Sequence, residues 1–508
     1  MIELERLKEI VFSLTEIEIK YLMKNMFSKS NENTSKGVSG KLLQIIFHSH
    51  DIDFEDLSFK LYKRVNKSGL KKLIQRLTEK ILDFLSCYEV IIANDLYDSR
   101  TKEVFYIRRK LMHYDILVMH GVTNYALTIL DQSIISAKRI EKYDLLLKAL
   151  ERKLIKMSLK NGLSKYKKVY DEIKFYSDCN NSLNRARYYF RLYASNFKFK
   201  QIVFLGRDIE NVIIQVQSDY ERTKSKEIKY VLYYLRGIKY SGDGDYIKNR
   251  ENFKNLYKQI DEKKWNVRYT LVCLLNIGLS ETMLYNFESS LQYISKINLK
   301  KEKNIYNRVL INEVVFMNYL YSGKIELAKQ FLKKLFNNVK NSKFINAKPY
   351  YYKAAIYTLD GLYVESNKEL LNCNQLISDK DGWNLGHRIL SIINNIELEK
   401  LSLVEAQVEN LRKHISRIEG DNAFFNRSKI ICKLLISIVH NSYDFKTVDK
   451  KLKESLSLIG SNDANYKWII NTPEIIIFHE WFESKVKGIP YDHVEVMKRL
   501  KKQNKVKK

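Results

Sequence analysis

Residues 233–256 read YYLRGIKYSGDGDYIKNRENFKNL, and the interpretation of the whole chain grows from this stretch. Tyr233, Gly237 and Tyr240 fall on one side of a helix. The polar run from Ser241 to Asp245 breaks it, and Asn249, Phe253 and Leu256 recur at helical spacing beyond the break. A glycine at position 244 suits the left-handed conformation that ends a helix and opens a turn. The stretch therefore predicts two helices joined by a short turn, with Gly237 small enough for close approach.

Moving outward, the arrangement repeats. Ala354, Tyr357, Gly361, Ser366, Leu370 and Cys373 follow the same order, as do Tyr319, Gly323, Ala328, Leu332 and Leu335. Gly278, Ser290, Ile294 and Ile297 form a further copy, and Ala406 is assigned to a more degenerate one. Taking Asn249, Ser290, Ala328, Ser366 and Ala406 as equivalent gives a period near 40 residues, the length of a helix pair with two turns.

This register resembles the tetratricopeptide repeat, most clearly over residues 230–375. In that family an aromatic stands at position 4, small residues at 8 and 20, Tyr at 11, glycine near 15 and a bulky residue at 24. Asn249 and Phe316 depart from the small residues expected. The resemblance implies an all-α fold: a right-handed α-solenoid of stacked antiparallel helix pairs, tetratricopeptide-like, with an N-terminal helical region. The expected organisation is an N-terminal region over 1–95, the solenoid over 96–470, and a capping helix with a basic tail over 471–508.

Composition agrees with helices. The 508 residues contain three prolines, far below the usual share of ~5%, and proline disrupts helix interiors. Leu70, Leu73, Ile74, Leu77 and Ile81 form an amphipathic stripe near the N-terminus. Three helices over 39–85 raise the question of a helix-turn-helix. Neither a glycine turn nor a short helix with base-reading residues stands out, so a structural cap is the preferred reading. Near the other end, Thr472 and Pro473 are expected to start a helix over 473–487.

The formal charge is +29, from 88 basic and 59 acidic residues. It fits nucleic acid, anionic surfaces or acidic proteins as partners, and it fits equally a Lys-rich solvated surface. Five scattered cysteines, none in a C-x-x-C pair, indicate a reducing compartment. With no signal-peptide pattern and no long apolar run, a cytoplasmic location is expected.

No catalytic, metal or cofactor set emerges, and a non-catalytic protein is expected. Gly37-Val-Ser-Gly40-Lys41-Leu42 lacks the spacing and hydroxyl of a phosphate loop. His479 to Glu483 lacks the second histidine of a zinc helix. His48 and His50 are two residues apart and so diverge on a helix. Ser241 to Asp245 lacks the distal glutamate of a calcium loop.

The resemblance places a partner-binding groove on the first helix of each pair. It predicts Tyr234, Ile238, Leu279, Met283, Glu313, Met317, Tyr321, Lys348 and Tyr351 as lining residues. That surface is apolar and aromatic, so two readings stand. It binds an amphipathic helix or peptide, or it is buried by tight curvature, by the N-terminal helices or by a second copy. The leading expectation is a scaffold or adaptor for a protein or peptide. The alternative is a nucleic-acid-binding or transcription-regulatory protein, contacting its ligand through the convex face or the basic tail from Lys498.

Overall fold

The structure, a computed structural model, describes residues 2–14, 18–19, 22, 35–48, 52–93, 97–157, 162–195, 199–260, 267–299, 302, 305–337, 343–418, 423–461, 463 and 465–505. Among these residues the fold is all-α, without strands, and neighbouring helices pack in pairs along the chain. No helix among them is long and apolar enough to cross a membrane. The chain divides into two compact units, residues 1–181 with 261–267, and residues 182–260 with 268–508.

In the first unit, α1 (Ile2–Ser13), α2 (Ser35–His48), α3 (Phe54–Tyr62) and α4 (Lys67–Leu85) share one core. Leu4 and Leu7 of α1, Leu42 and Ile46 of α2, Leu57 of α3 and the stripe Leu70–Ile74–Leu77–Ile81 of α4 are all buried in it. The stripe has the spacing of one helix face, so α4 presents its polar residues outward. The unit continues through α5 (Tyr88–Ala93), α6 (Ser99–Met119), α7 (Thr123–Arg139) and α8 (Tyr143–Lys156). α9 (Leu163–Ser195) begins in it.

The second unit is the α-solenoid. After α10 (Phe199–Thr223) come six helix pairs. They are α11 (Lys226–Gly242) with α12 (Tyr246–Gln259), α13 (Val267–Met283) with α14 (Phe287–Ser295), and α15 (Ile305–Tyr321) with α16 (Ile325–Asn337). Then follow α17 (Lys343–Leu359) with α18 (Tyr363–Leu370), α19 (Trp383–Glu397) with α20 (Leu401–Ser416), and α21 (Ala423–His440) with α22 (Phe445–Lys451). A 3-10 turn over Leu371–Ser378 extends α18, and α23 (Lys453–Gly460) follows α22.

Each pair turns in the same way. Gly244, Tyr285, Gly323, Gly361, Glu399 and Ser442 all take positive φ, between 52° and 78°. In each case the next amide donates to a carbonyl five residues back, from Asp245 to Tyr240 (2.8 Å) through Leu362 to Tyr357 (2.8 Å) to Tyr443 to Ile438 (2.9 Å). This closes the C-terminus of the first helix as a Schellman motif. Three of the six residues are not glycine, so half of these turns are invisible to a search for glycine.

The shared turn corrects one assignment. Asn249, Ser290, Ala328 and Ser366 each stand five residues after the left-handed position and are buried. In the next pair that place belongs to Val404, which is buried, whereas Ala406 is exposed. The small-residue logic otherwise holds. A Cβ on Gly237 would overlap the Phe253 ring, and one on Gly278 would lie 2.6 Å from Ile294.

Between pairs, buried side chains meet in threes. Thr282 Oγ1 lies 3.0 Å from Ser290 Oγ and 3.1 Å from Asn318 Oδ1, and Asn318 Nδ2 donates to Ser290 (3.0 Å). Two pairs later Thr358, Ser366 and Asn394 repeat the triangle at 3.0, 2.7 and 2.8 Å. At the intervening junction Leu320, Ala328 and Ile356 occupy the same register, all buried. Asn249, the apparent exception to the small-residue rule, donates to Ser241 (2.9 Å) and Ser280 (3.0 Å), so it belongs to a polar junction.

Candidate partner-binding groove

The first helices of successive pairs form a wall, and most of it is occupied. Beyond α23 the described residues between 461 and 477 are not helical, and α24 (Phe478–Lys487) and α25 (His493–Lys505) follow. This C-terminal segment returns along the wall. Pro473 packs on Gly386 of α19, where a Cβ would overlap it, and its carbonyl accepts from the Tyr351 hydroxyl of α17. Trp468 meets Tyr321 of α15 edge-on at 5.7 Å, and the His493 ring lies 5.9 Å from the same tyrosine. Val494 lies against Gly323, and Lys501 sits over Phe287 at 5.9 Å. Glu397 of α19 accepts from Trp481 Nε1 (2.7 Å) and Lys485 Nζ (3.0 Å).

A buried ion pair anchors the segment. Arg427 of α21 donates through Nε and Nη2 to the two Glu474 oxygens, at 2.6 and 2.8 Å, and both residues are buried. Arg427 also donates to the carbonyls of Ile459 and Tyr466 and to His479 Nδ1 (2.8 Å). Glu474 accepts in addition from the Phe478 amide (2.9 Å). The helix expected over 473–487 therefore starts at Phe478. The Pro473 carbonyl is taken by Tyr351, Glu474 caps from its side chain, and Thr472 bonds back to Ile469.

Burial of Trp468, Ile475, Ile477, Phe478, Trp481 and Phe482 is worth of order 10 kcal/mol. These residues belong to the same buried cluster as Tyr321 and Tyr351.

The predicted lining residues divide accordingly. Tyr321 and Tyr351 are covered by the segment, and Met317 is buried. Glu313 is buried and held by Lys348 (3.1 Å) and the Tyr352 hydroxyl, while Lys348 also lies 4.8 Å over the Trp383 ring. Tyr234 packs on Phe190 at 4.6 Å. Ile238, Leu279 and Met283 are half-buried. The nine stand on the first helices of four successive pairs, and the chain itself covers Tyr321 and Tyr351.

Burial governs the titratable groups here. It pushes His479 down to about 3, helped by Arg427 and Arg499, and His493 down to about 4. It pushes the Cys273 and Cys373 thiols up to about 12. Among the described residues no group of three or more His, Cys, Asp or Glu is placed to hold a metal ion.

Sequence reading missed a second apolar surface. α6 buries Ile107, Leu111 and Tyr114, yet Met112, Ile116 and Met119 on an adjoining face are exposed, Met119 to 87%. Tyr125 of α7 is exposed as well. A helix apolar on more than one side is normally enclosed, and that breadth is the signal the sequence offered. Comparison with known proteins gives no match among family models, curated proteins or solved structures.

Proposed function

We propose that the protein is a non-catalytic scaffold with a tetratricopeptide-like solenoid that binds a protein partner through the apolar ridge of α6. The observation that carries this is the exposure of Met112, Ile116 and Met119 on one helix face. Methionine suits such a role because its flexible, polarisable side chain adapts to different surfaces. The reading moves the binding surface away from the groove wall, where Tyr321 and Tyr351 are already occupied. An amphipathic helix laid along the ridge is the simplest ligand geometry.

The test is quantitative affinity purification of wild type and a Met112→Lys/Met119→Lys variant from native cells. Both substitutions are at exposed positions, so the melting temperature should hold. A specific partner present with wild type and lost with the variant supports the reading. An identical partner set refutes it.

A further inference from the structure

We infer that α3, α4 and the turn between them form a double-stranded DNA contact, with α4 as the helix that enters the major groove. The inference is independent of the α6 ridge and uses different residues.

The turn is short and built. Lys63 takes the left-handed conformation (φ 58°), and its amide donates to Phe59 O at 2.8 Å. Buried Ser58 accepts from the Asn66 amide (2.7 Å) and donates to the Arg64 carbonyl (3.3 Å). Asn66 then caps α4 by accepting from the Gly69 amide (2.9 Å). The sequence carries no glycine at this turn because a lysine supplies the positive φ. A helix, a four-residue link and a second helix packed on a shared core is the arrangement of helix-turn-helix modules.

The surface of this pair is basic. Residues 54–80 contain eight basic and three acidic side chains, and all eight basic ones are exposed. Lys67 pairs with Glu55 (2.9 Å) and Lys71 with Glu3 (3.0 Å), both at the surface, where such pairs are weak and exchangeable. Lys60, Lys63, Arg64, Lys72, Arg76 and Lys80 make no ion pair among the described residues.

The face of α4 opposite its core stripe presents Ser68, Lys72, Gln75 and Arg76, all exposed. These are residue types that read base edges, Arg and Lys on guanine and Gln on adenine. An α-helix about 10–12 Å across fits a major groove about 12 Å wide. Lys60, Lys63 and Arg64, at the end of α3 and in the turn, are placed for phosphates on the groove rim. Glu79, exposed on the same face one turn beyond Gln75, accepts from Gln75 Nε2 at 3.3 Å and sets an acidic group at that end of it.

The experiment is fluorescence anisotropy of the full chain with a duplex of about 20 base pairs and with the matching single strand, across a salt series. Wild type should prefer duplex. Lys72→Ala/Arg76→Ala should weaken duplex binding at least about tenfold, and Lys63→Ala/Arg64→Ala should lower the salt slope by about two, each with an unchanged melting temperature. Selection from a random duplex pool should enrich a sequence whose preference is relaxed by Gln75→Ala. The inference is overturned by wild-type affinity in the double variant, by equal binding of single strand, or by no duplex binding at low salt. Loss of binding only on neutralising Lys501, Lys502 and Lys505 also overturns it.

Discussion

Arg427 and Glu474 face each other across 47 residues of chain, joined by two hydrogen bonds of 2.6 and 2.8 Å and closed off from solvent. Removing one charge leaves the other buried without its partner, which typically costs about 3–5 kcal/mol. Arg427→Met should destabilise the second unit by about that amount in urea unfolding. Glu474→Gln should cost less, because an amide can still accept one bond from Arg427 and one from the Phe478 amide. Equal losses would show that charge rather than hydrogen bonding dominates.

Acid should loosen the C-terminal segment. His479 and His493 are held near 3 and 4, below their ordinary 6.5. Between those values and 6.5 the unfolded chain binds more protons, so stability rises with pH and falls on acidification through this window. From pH 7 to 5 each histidine should cost up to about 2 kcal/mol. His479→Gln should flatten part of that dependence in melting curves, and an unchanged profile would exclude this histidine as the source.

The left-handed turn positions allow a comparison in which the backbone can be isolated. A Cβ on Gly361 meets nothing within 4 Å, so Gly361→Ala should cost about 1–2 kcal/mol from backbone conformation alone. Gly323→Ala should cost more, since its Cβ would lie 2.8 Å from Val494. Glu399, exposed and already at φ 55°, should gain about 1 kcal/mol as glycine. Thermal unfolding of the three variants tests the order.

The junction triangles should be replaceable only as units. Asn394→Leu leaves Thr358 and Ser366 buried without their partner, at about 1–3 kcal/mol. Replacing all three with the apolar set found at Leu320, Ala328 and Ile356 should restore most of the loss. A triple variant as unstable as the sum of its singles would refute this.

Thiol chemistry should report the fold directly. Cys87 is exposed, while Cys179, Cys273, Cys373 and Cys432 are buried with raised pKa values. Under native conditions a thiol reagent should label Cys87 rapidly and the other four only on unfolding.

Local chemistry made the helices and much of the register legible. Gly237, Gly244, Gly323 and Gly361 announce close approaches and turns because glycine alone adopts them without cost. Tyr285, Glu399 and Ser442 do the same work against their intrinsic preference, and nothing in their identity reveals it. Ala406 looked right by size, yet Val404 holds the buried place because the turn, not the side chain, sets the register. Nothing local announced the segment that covers Tyr321 and Tyr351, since Tyr351 and Pro473 meet across 122 residues and only tertiary packing joins them. Arg427 stands among Asn426, Ser428 and Lys429 in the sequence, so nothing local marks it as the charge that is buried against Glu474.

That separation has a cost in time during synthesis. At about 5–20 residues per second, Tyr351 leaves the ribosome some 6–25 s before the proline that will cap its hydroxyl. Throughout that interval the apolar wall is still being built, as α19 and α21 emerge, and what is already made stands without the segment that will cover it.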